Sequence, residues 1–449
     1  MSKNTFHLVS LGCAKNTVDS DSMAQLLLRD GYRSMDDPSK AAVLIVNTCG
    51  FIGPAKEESY RVLGELAESK LDGQVLIAAG CLTQRYGVEV AKKVPGIDGI
   101  LGTRRWMDIV QVVKEVRKGK HPEPIYHLPE TATVGTDEYD ALRVSIAGAS
   151  AYIKVADGCR RPCAFCAIPL IKGTAVSRPV EAILHEARML RDSGVRELVL
   201  IAQDTTDYGH DLGMKDGLAI LLEQLTAAVP DMDWVRVMYA YPGYVTDRLI
   251  EVMAARKQVL PYLDMPLQHA HPKTLYRMKR PSNMDWVYKT IGKMRATVKD
   301  LSMRTTFIVG YPGETDEEFQ ALYDFVKEIR FDRVGTFQFS FEPGTTSAPL
   351  GDPVPASVKQ ERFERLMELQ QNISLQVNQS YVGKTLDVLI EGFDNGISIG
   401  RSYRDAPEID GMVLVEGKAK VGEIVPVRIT GAMAYDLTGA LVEPSLIRL

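Results

Sequence analysis

The segment Cys159-Arg160-Arg161-Pro162-Cys163-Ala164-Phe165-Cys166 has the form C-x3-C-x2-C, with an aromatic residue just before the last cysteine. Three thiolates this close on one loop can grip three irons of a cubane cluster, for which thiolates are the usual ligands. The count of three matters, because the fourth iron then lacks a protein ligand and is free to bind something else. Structural zinc is the plainer alternative, but zinc wants four ligands, typically in two spaced pairs. The nearest histidines, His127 and His185, are remote from the loop. A simple electron carrier would also need four protein ligands.

An open iron of this kind can be chelated by the amino and carboxylate groups of S-adenosylmethionine (SAM). An electron from the reduced cluster then breaks a carbon–sulfur bond and releases a 5′-deoxyadenosyl radical. Such a radical removes hydrogen from carbons that no acid or base could deprotonate. The cofactor carries the hard chemistry and the protein positions it.

Outward from the loop, strands and helices alternate. Strand-like runs are expected at 152–156, 197–202, 234–239, 262–267, 304–309 and 335–341, with amphipathic stretches such as 180–192, 217–228 and 316–329 between them. This pattern implies a parallel sheet with right-handed crossovers. Six units are fewer than the eight of a closed barrel, so the expectation is a partial (β/α)6 barrel with an open side. A long helix at 356–376 would close this domain, expected over 145–378.

The first part of the chain repeats a simpler pattern. Strand-like runs at 6–10, 42–46 and 74–78 lead into Leu-Gly-Cys13, Asn-Thr-Cys49 and Ala-Gly-Cys81, and helical stretches follow, such as 20–29 and 55–68. The cysteines stand 36 and 32 residues apart, close to the length of a βαβ unit. A fourth unit is expected at 99–102. In a parallel sheet the loops after the strands share one edge, where open α/β sheets bind ligands. A lone cysteine here would read as a small buried apolar residue; three at the same place in successive units favour convergence. This N-terminal α/β domain is expected over 4–117, and the polar, proline-broken stretch 118–144 as a linker.

The tail, 379–446, reads as a small five-stranded barrel resembling an OB-fold, with short strands at 388–390, 397–400, 412–415 and 424–429. From residue 381 onward it holds seven basic and ten acidic residues, a balance that repels phosphate and favours a basic partner. The whole chain of 449 residues is 45 % hydrophobic and 25 % charged, which suits two or three globular domains with ordinary cores. Its net charge of −5 argues against a broad basic surface for nucleic acid. The start shows no signal peptide, and no run of about 18 apolar residues suggests a membrane span. The expected compartment is the cytoplasm, where the six cysteines stay reduced.

Cys159 to Cys166 matches the radical SAM motif, with Phe165 in its aromatic position. The pieces LGCAKN, NTCGFI, AAGCLTQR, CAFCAIPLIKGTAVSRP and FIVGYPGETDEEF resemble the methylthiotransferase family, in the same three-domain order that ends in a TRAM domain. By that resemblance Cys159, Cys163 and Cys166 hold a radical SAM 4Fe–4S cluster, and Cys13, Cys49 and Cys81 hold an auxiliary 4Fe–4S cluster with its own open iron. One SAM would supply a methyl group and a second the radical that activates the substrate carbon. Members of the family differ in substrate: some modify an adenosine of transfer RNA, others the β-carbon of one aspartate in protein twelve of the small ribosomal subunit. Gly400-Arg-Ser-Tyr-Arg-Asp-Ala-Pro-Glu-Ile-Asp410, Ala434-Tyr-Asp-Leu-Thr-Gly439 and Gln203-Asp-Thr-Thr-Asp-Tyr-Gly209 resemble the second group. The acidic tail agrees, since ribosomal proteins are basic. A transfer-RNA enzyme, and a non-catalytic cluster-binding ribosome adaptor, are the alternatives.

An electron donor such as a flavodoxin is expected, with no membrane partner and with direct RNA contact not favoured. The candidate SAM contacts are Phe165, Gln203, Arg236 and Gly310. Gln203 stands in Ala202-Gln203-Asp204, where many radical SAM enzymes carry Gly-Gly-Glu. Gly310-Tyr-Pro-Gly-Glu314 also reads as a turn before a helix capped by Thr315. Gln268-His269-Ala-His271 lacks further ligands nearby and reads as a solvated loop.

Overall fold

Val43–Thr48 is the apolar run VLIVNT, without polar alternation, as expected of a strand covered on both faces. A computed structural model of the chain, which describes residues 4–119, 121–134 and 140–442, places it at the centre of a six-stranded parallel sheet. Thr5–Ser10 and Val75–Gly80 are its two neighbours. Arg33–Ser34 extends one edge, and Gly99–Gly102 then Ile125–His127 extend the other. Helices Ala14–Arg29 and Ile109–Val116 bury Met23, Leu27, Val112 and Val113 on one face. Gly53–Glu68 and Cys81–Lys93 bury Leu63, Leu82 and Val90 on the other.

Ile125–His127 lies inside the stretch expected as a linker. Three residues are too few to show a strand period, and they join the sheet by pairing with Gly99–Leu101. Val134 and Ala141 of the same stretch are buried in the N-terminal core. Residues 120 and 135–139 of that stretch, and 443–446 of the expected tail domain, lie outside the described residues.

The central sheet has six parallel strands: Ser150–Lys154, Glu197–Ile201, Trp234–Val237, Val259–Asp264, Ser302–Val309 and Arg333–Gln338. A seventh, Val144–Ala147, pairs antiparallel with the first through a tight turn at Gly148. The sheet does not close, as the count of units implies. The fourth parallel strand begins three residues before its expected start and contains Pro261. Proline removes a ladder donor, and the register with Trp234–Val237 shifts at that point. Helices Val180–Asp192, Gly217–Ala228, Asp247–Ala255, Met284–Thr297 and Asp316–Ile329 cover the outside. Thr315 caps the last of these in a reciprocal box with Glu318. Ala356–Gln379 packs beside Arg333–Gln338.

The inner face of the partial barrel is filled from two sides. Ala14 and Val18 of the first helix, and Leu389 and Ala406 of the tail, join Tyr152, Val199, Ile201, Trp234 and Tyr262 in one apolar cluster. The tail itself is a closed five-stranded barrel of Thr385–Asp394, Ile397–Ser402, Val413–Glu416, Leu437–Leu441 and Ile424–Ala432, in that spatial order. Among the described residues no helix is long and apolar enough to cross a membrane.

Candidate functional site

Cys13, Cys49 and Cys81 each follow a parallel strand, and the register sets Ser10 beside Asn47 and Thr48 beside Gly80. All three therefore stand at the carboxyl edge of one sheet, at or near helix N-termini, where backbone donors and the helix dipole favour negative charge. Asn16 and Asn47 bind the loops together. The Asn16 amide donates to the Leu11 and Asn47 carbonyls (2.6 and 3.1 Å), and the Asn47 amide donates to the Asn16 carbonyl and Ser20 Oγ. Gly12 must be glycine: its φ is +95°, and a β-carbon there would lie 3.0 Å from the Cys49 sulfur. Gly80, with φ +104°, is likewise pressed against Asn47 and Thr48.

Cys159, Cys163 and Cys166 lie on a loop stitched to its neighbours by main-chain bonds. Cys159 N–H donates to the Gly173 carbonyl, Ala164 N–H to Met278, and Ser347 N–H to Ala164. Arg161 N–H points at the Cys159 sulfur at 3.5 Å, and the Arg280 guanidinium donates to the Cys163 sulfur at 3.4 Å. Tyr241 Oη is 3.8 Å from the same sulfur. Arg161 is held by Asp204 and Asp207 and stacks on Tyr244.

Both triads line one cavity of about 320 Å³. Its walls carry all six cysteines, four cations (Lys15, Arg161, Lys172 and Arg280) and no carboxylate. Burial pushes the Cys81 and Cys166 thiols up to about 12 and Cys159 up to about 11. Thiolates here thus require positive charge at the sulfur, which iron would provide. Among the described residues no three ligating side chains converge closely enough for a single metal ion. Each group offers three thiolates, which suits a cubane with one open iron better than structural zinc, which takes four protein ligands.

The two halves of the cavity are locked together by a buried ionic network. Asp19, on the first helix, meets Lys154 and Lys172, and both lysines also reach Asp157. Burial opposes the charge on Lys172, but Asp157 and Asp19 outweigh it and raise its pKa. Asp19→Asn keeps the shape and removes the charge. We expect it to lower unfolding stability by about 1–3 kcal/mol, read as a shift of the urea midpoint.

Phe165 and Gln203 line the cavity. The Gln203 amide donates to Asp157 at 3.2 Å, and its buried oxygen has no hydrogen-bond partner, so it can accept from a bound ammonium group. Arg236 and Gly310 are not brought to the cavity. Arg236 is wholly buried, pairs with Glu197 at 2.7 Å, donates to the Tyr403 carbonyl and lies over Tyr262. Its guanidinium joins the barrel to the tail. Gly310, with φ +71°, is packed against the Lys359 side chain. The solvated-loop reading of 268–271 is also corrected. His269 is buried, its Nδ1 accepts from His271 N–H, and burial lowers its pKa to about 3. Gln268 lines the cavity instead. Tyr239, at the end of the strand-like run 234–239 that could face the barrel interior, lines it as well; Lys15 and Arg280 were not anticipated there, because their meeting depends on long-range packing that no local pattern carries.

Residues 5–102 match the uncharacterized protein family UPF0004, 153–326 the radical SAM superfamily and 382–442 the TRAM domain. The chain is similar to solved structures of the radical S-adenosylmethionine methyltransferase TsrM from Kitasatospora setae. One, with cobalamin and a [4Fe-4S] cluster bound, gives a TM-score of 0.57 over 86 % of this chain and 77 % of that one. At 12 % identity the likeness concerns the fold alone. Two curated relatives are named ribosomal protein uS12 methylthiotransferase RimO. That of Chloroflexus aurantiacus is 49 % identical over 97 % of this chain and 99 % of its own length. That of Roseiflexus sp. (strain RS-1) is 47 % identical over 98 % and 97 %. With its cysteine triads on one cavity and this identity along nearly its full length, the chain belongs to the ribosomal protein uS12 methylthiotransferase family, RimO.

Proposed function

We propose that the chain inserts a methylthio group at the β-carbon of an aspartate in ribosomal protein uS12, using two 4Fe–4S clusters and SAM. Cys159, Cys163 and Cys166 would hold one cluster, and Cys13, Cys49 and Cys81 the other. The observation that carries this reading is the single cavity lined by both triads. When bound, the clusters would relay the electron and hold the sulfur on an open iron, and SAM would supply the methyl group and the hydrogen-abstracting radical.

The chain's own residues position and shield that chemistry. Arg280 and Tyr241 fix the Cys163 sulfur, and the Asn16–Asn47 pair fixes the loops of the other triad. Gln203 offers its free oxygen to the SAM ammonium, and Phe165 forms wall beside it. Arg161, Lys172 and Arg280 in the cavity wall offset the negative charge of thiolate-bound clusters. The substrate is a basic protein met by an acidic tail barrel, the electron comes from a flavodoxin-class donor, and the reaction runs in the cytoplasm.

The test is incubation of the reconstituted protein with SAM, a reductant and either uS12 or transfer RNA. Mass spectrometry should find one methylthio group replacing hydrogen on a uS12 aspartate and none on RNA. Modification of RNA alone would replace this reading with the nucleoside one. Absence of 5′-deoxyadenosine with both substrates would leave a non-catalytic cluster protein.

A further inference from the structure

Of the four cations in the cavity wall, three already hold partners. Lys172 is bonded to Asp19 and Asp157, Arg161 to Asp204 and Asp207, and Arg280 to the Cys163 sulfur and the Pro266 carbonyl. Lys15 differs. Among the described residues its ammonium has no carboxylate within ion-pair distance and no hydrogen-bond acceptor; it rests 3.3 Å from the centroid of the Tyr239 ring. Burial lowers its pKa, and the charges that oppose this are the Cys13 thiol two residues away, then Asp264 and Asp157, which are held elsewhere by Arg304 and by Lys154 and Lys172.

The surroundings hold this ammonium in place. Lys15 lies in the first turn of Ala14–Arg29, two residues after Cys13, and Ala14 of the same turn packs into the inner face of the barrel. Tyr239, which follows Trp234–Val237, has φ +63°, and Gln268 beside the cavity has φ +74°. Non-glycine residues in this region cost about 1–3 kcal/mol each and persist where surrounding structure enforces them. An aromatic face under an ammonium stabilises it without supplying a hydrogen-bond acceptor. All three N–H donors of Lys15 therefore remain available to an incoming anion.

We propose that Lys15 is the specificity-determining residue that binds the side-chain carboxylate of the substrate aspartate, a reading that rests on the uS12 function above. The reacting β-carbon is bonded directly to that carboxylate carbon. Fixing the carboxylate at Lys15 thus fixes the reacting C–H within one bond, in the cavity that both triads share. A charge-assisted contact of this kind also favours aspartate over asparagine, whose amide offers the ammonium one neutral carbonyl oxygen in place of a charged carboxylate.

The experiment compares two uS12 substrates, with aspartate or asparagine at the modified position, on the reconstituted parent, Lys15→Met and Lys15→Arg. Iron content and the SAM concentration for half-maximal rate are measured alongside. The parent is expected to prefer aspartate by about 10- to 100-fold in kcat/KM, the contribution of one charge-assisted hydrogen bond. In Lys15→Met that preference should collapse to within about threefold with iron content unchanged, and Lys15→Arg should restore part of it. A parental aspartate preference retained in Lys15→Met overturns the proposal. Loss of iron in Lys15→Met overturns it too, making the lysine a counter-charge of the neighbouring cluster. A rise in the SAM requirement with the preference retained would assign Lys15 to the SAM carboxylate. A parent that modifies RNA only removes the uS12 reading itself, and that result is seen before any variant is compared.

Discussion

Cys163→Ala protein, reconstituted anaerobically, is expected to hold about four irons where the parent holds about eight, and to form no 5′-deoxyadenosine. Cys163 is the thiol most closely gripped by its surroundings, between the Arg280 guanidinium and Tyr241 Oη. Without it only Cys159 and Cys166 remain on the loop, and two thiols cannot keep a cluster in register with SAM. Cys49→Ala should lose a similar amount of iron with a different consequence. Its loop belongs to the N-terminal sheet, so SAM cleavage should persist at least in part while methylthiolation of uS12 stops. Iron and labile sulfide assays, with 5′-deoxyadenosine and methylthio products measured in parallel, separate the two sites. Equal iron in Cys163→Ala and parent, or zinc in place of iron, would remove the two-cluster reading. Methylthiolation that survives in Cys49→Ala would detach the N-terminal triad from sulfur transfer.

The contrast between those variants follows from features that short stretches of sequence carry. A thiol set within eight residues, and apolar runs that each end at a cysteine, are local patterns, and the parallel sheet turns the second into convergence. What the sequence hides is pairing across long separations. Gly400 to Asp410 resembles a substrate-group marker, yet Arg401 and Arg404 are buried against Glu197 and Asp332 at the starts of barrel strands. This segment thus plugs the end of the barrel opposite the cysteines. Arg236 looked like a cofactor contact because its strand could face inward, and it does; the end of the barrel it serves is set by Glu197, on a neighbouring strand. Lys15 sits in the legible motif LGCAKN, but its meeting with Tyr239 exists only once the first helix docks on the barrel.

That plugged end makes Glu197 the residue whose loss should most damage stability. Its carboxylate is fully buried and bonded to Arg236 at 2.7 Å, Arg401 at 2.7 Å and Ser150 Oγ at 2.8 Å. Burial alone would raise its pKa, but the Arg236 and Arg401 charges outweigh that and bring it down to about 2. A carboxylate depressed on folding adds stability that is present above its unfolded pKa and lost as pH falls through the folded one. The window here runs from about 4.5 down to about 2, and the contribution above it is about 3 kcal/mol. Glu197→Ala leaves Arg236 buried without its carboxylate and is expected to cost about 3–5 kcal/mol at neutral pH. Glu197→Gln should also lower the urea midpoint, and its acid limb between those pH values should be flatter than the parent's. Replacing both partners, Glu197→Met with Arg236→Met, should recover part of the loss, because Arg401 still has Glu391 and no unpaired guanidinium stays at position 236. Arg236 stands away from the cavity, so 5′-deoxyadenosine formed per folded, iron-loaded double variant should stay within about twofold of the parent. A double variant that folds well but cleaves no SAM would return Arg236 to the SAM site, and a parental acid limb in Glu197→Gln would remove this ion pair as the joint between barrel and tail.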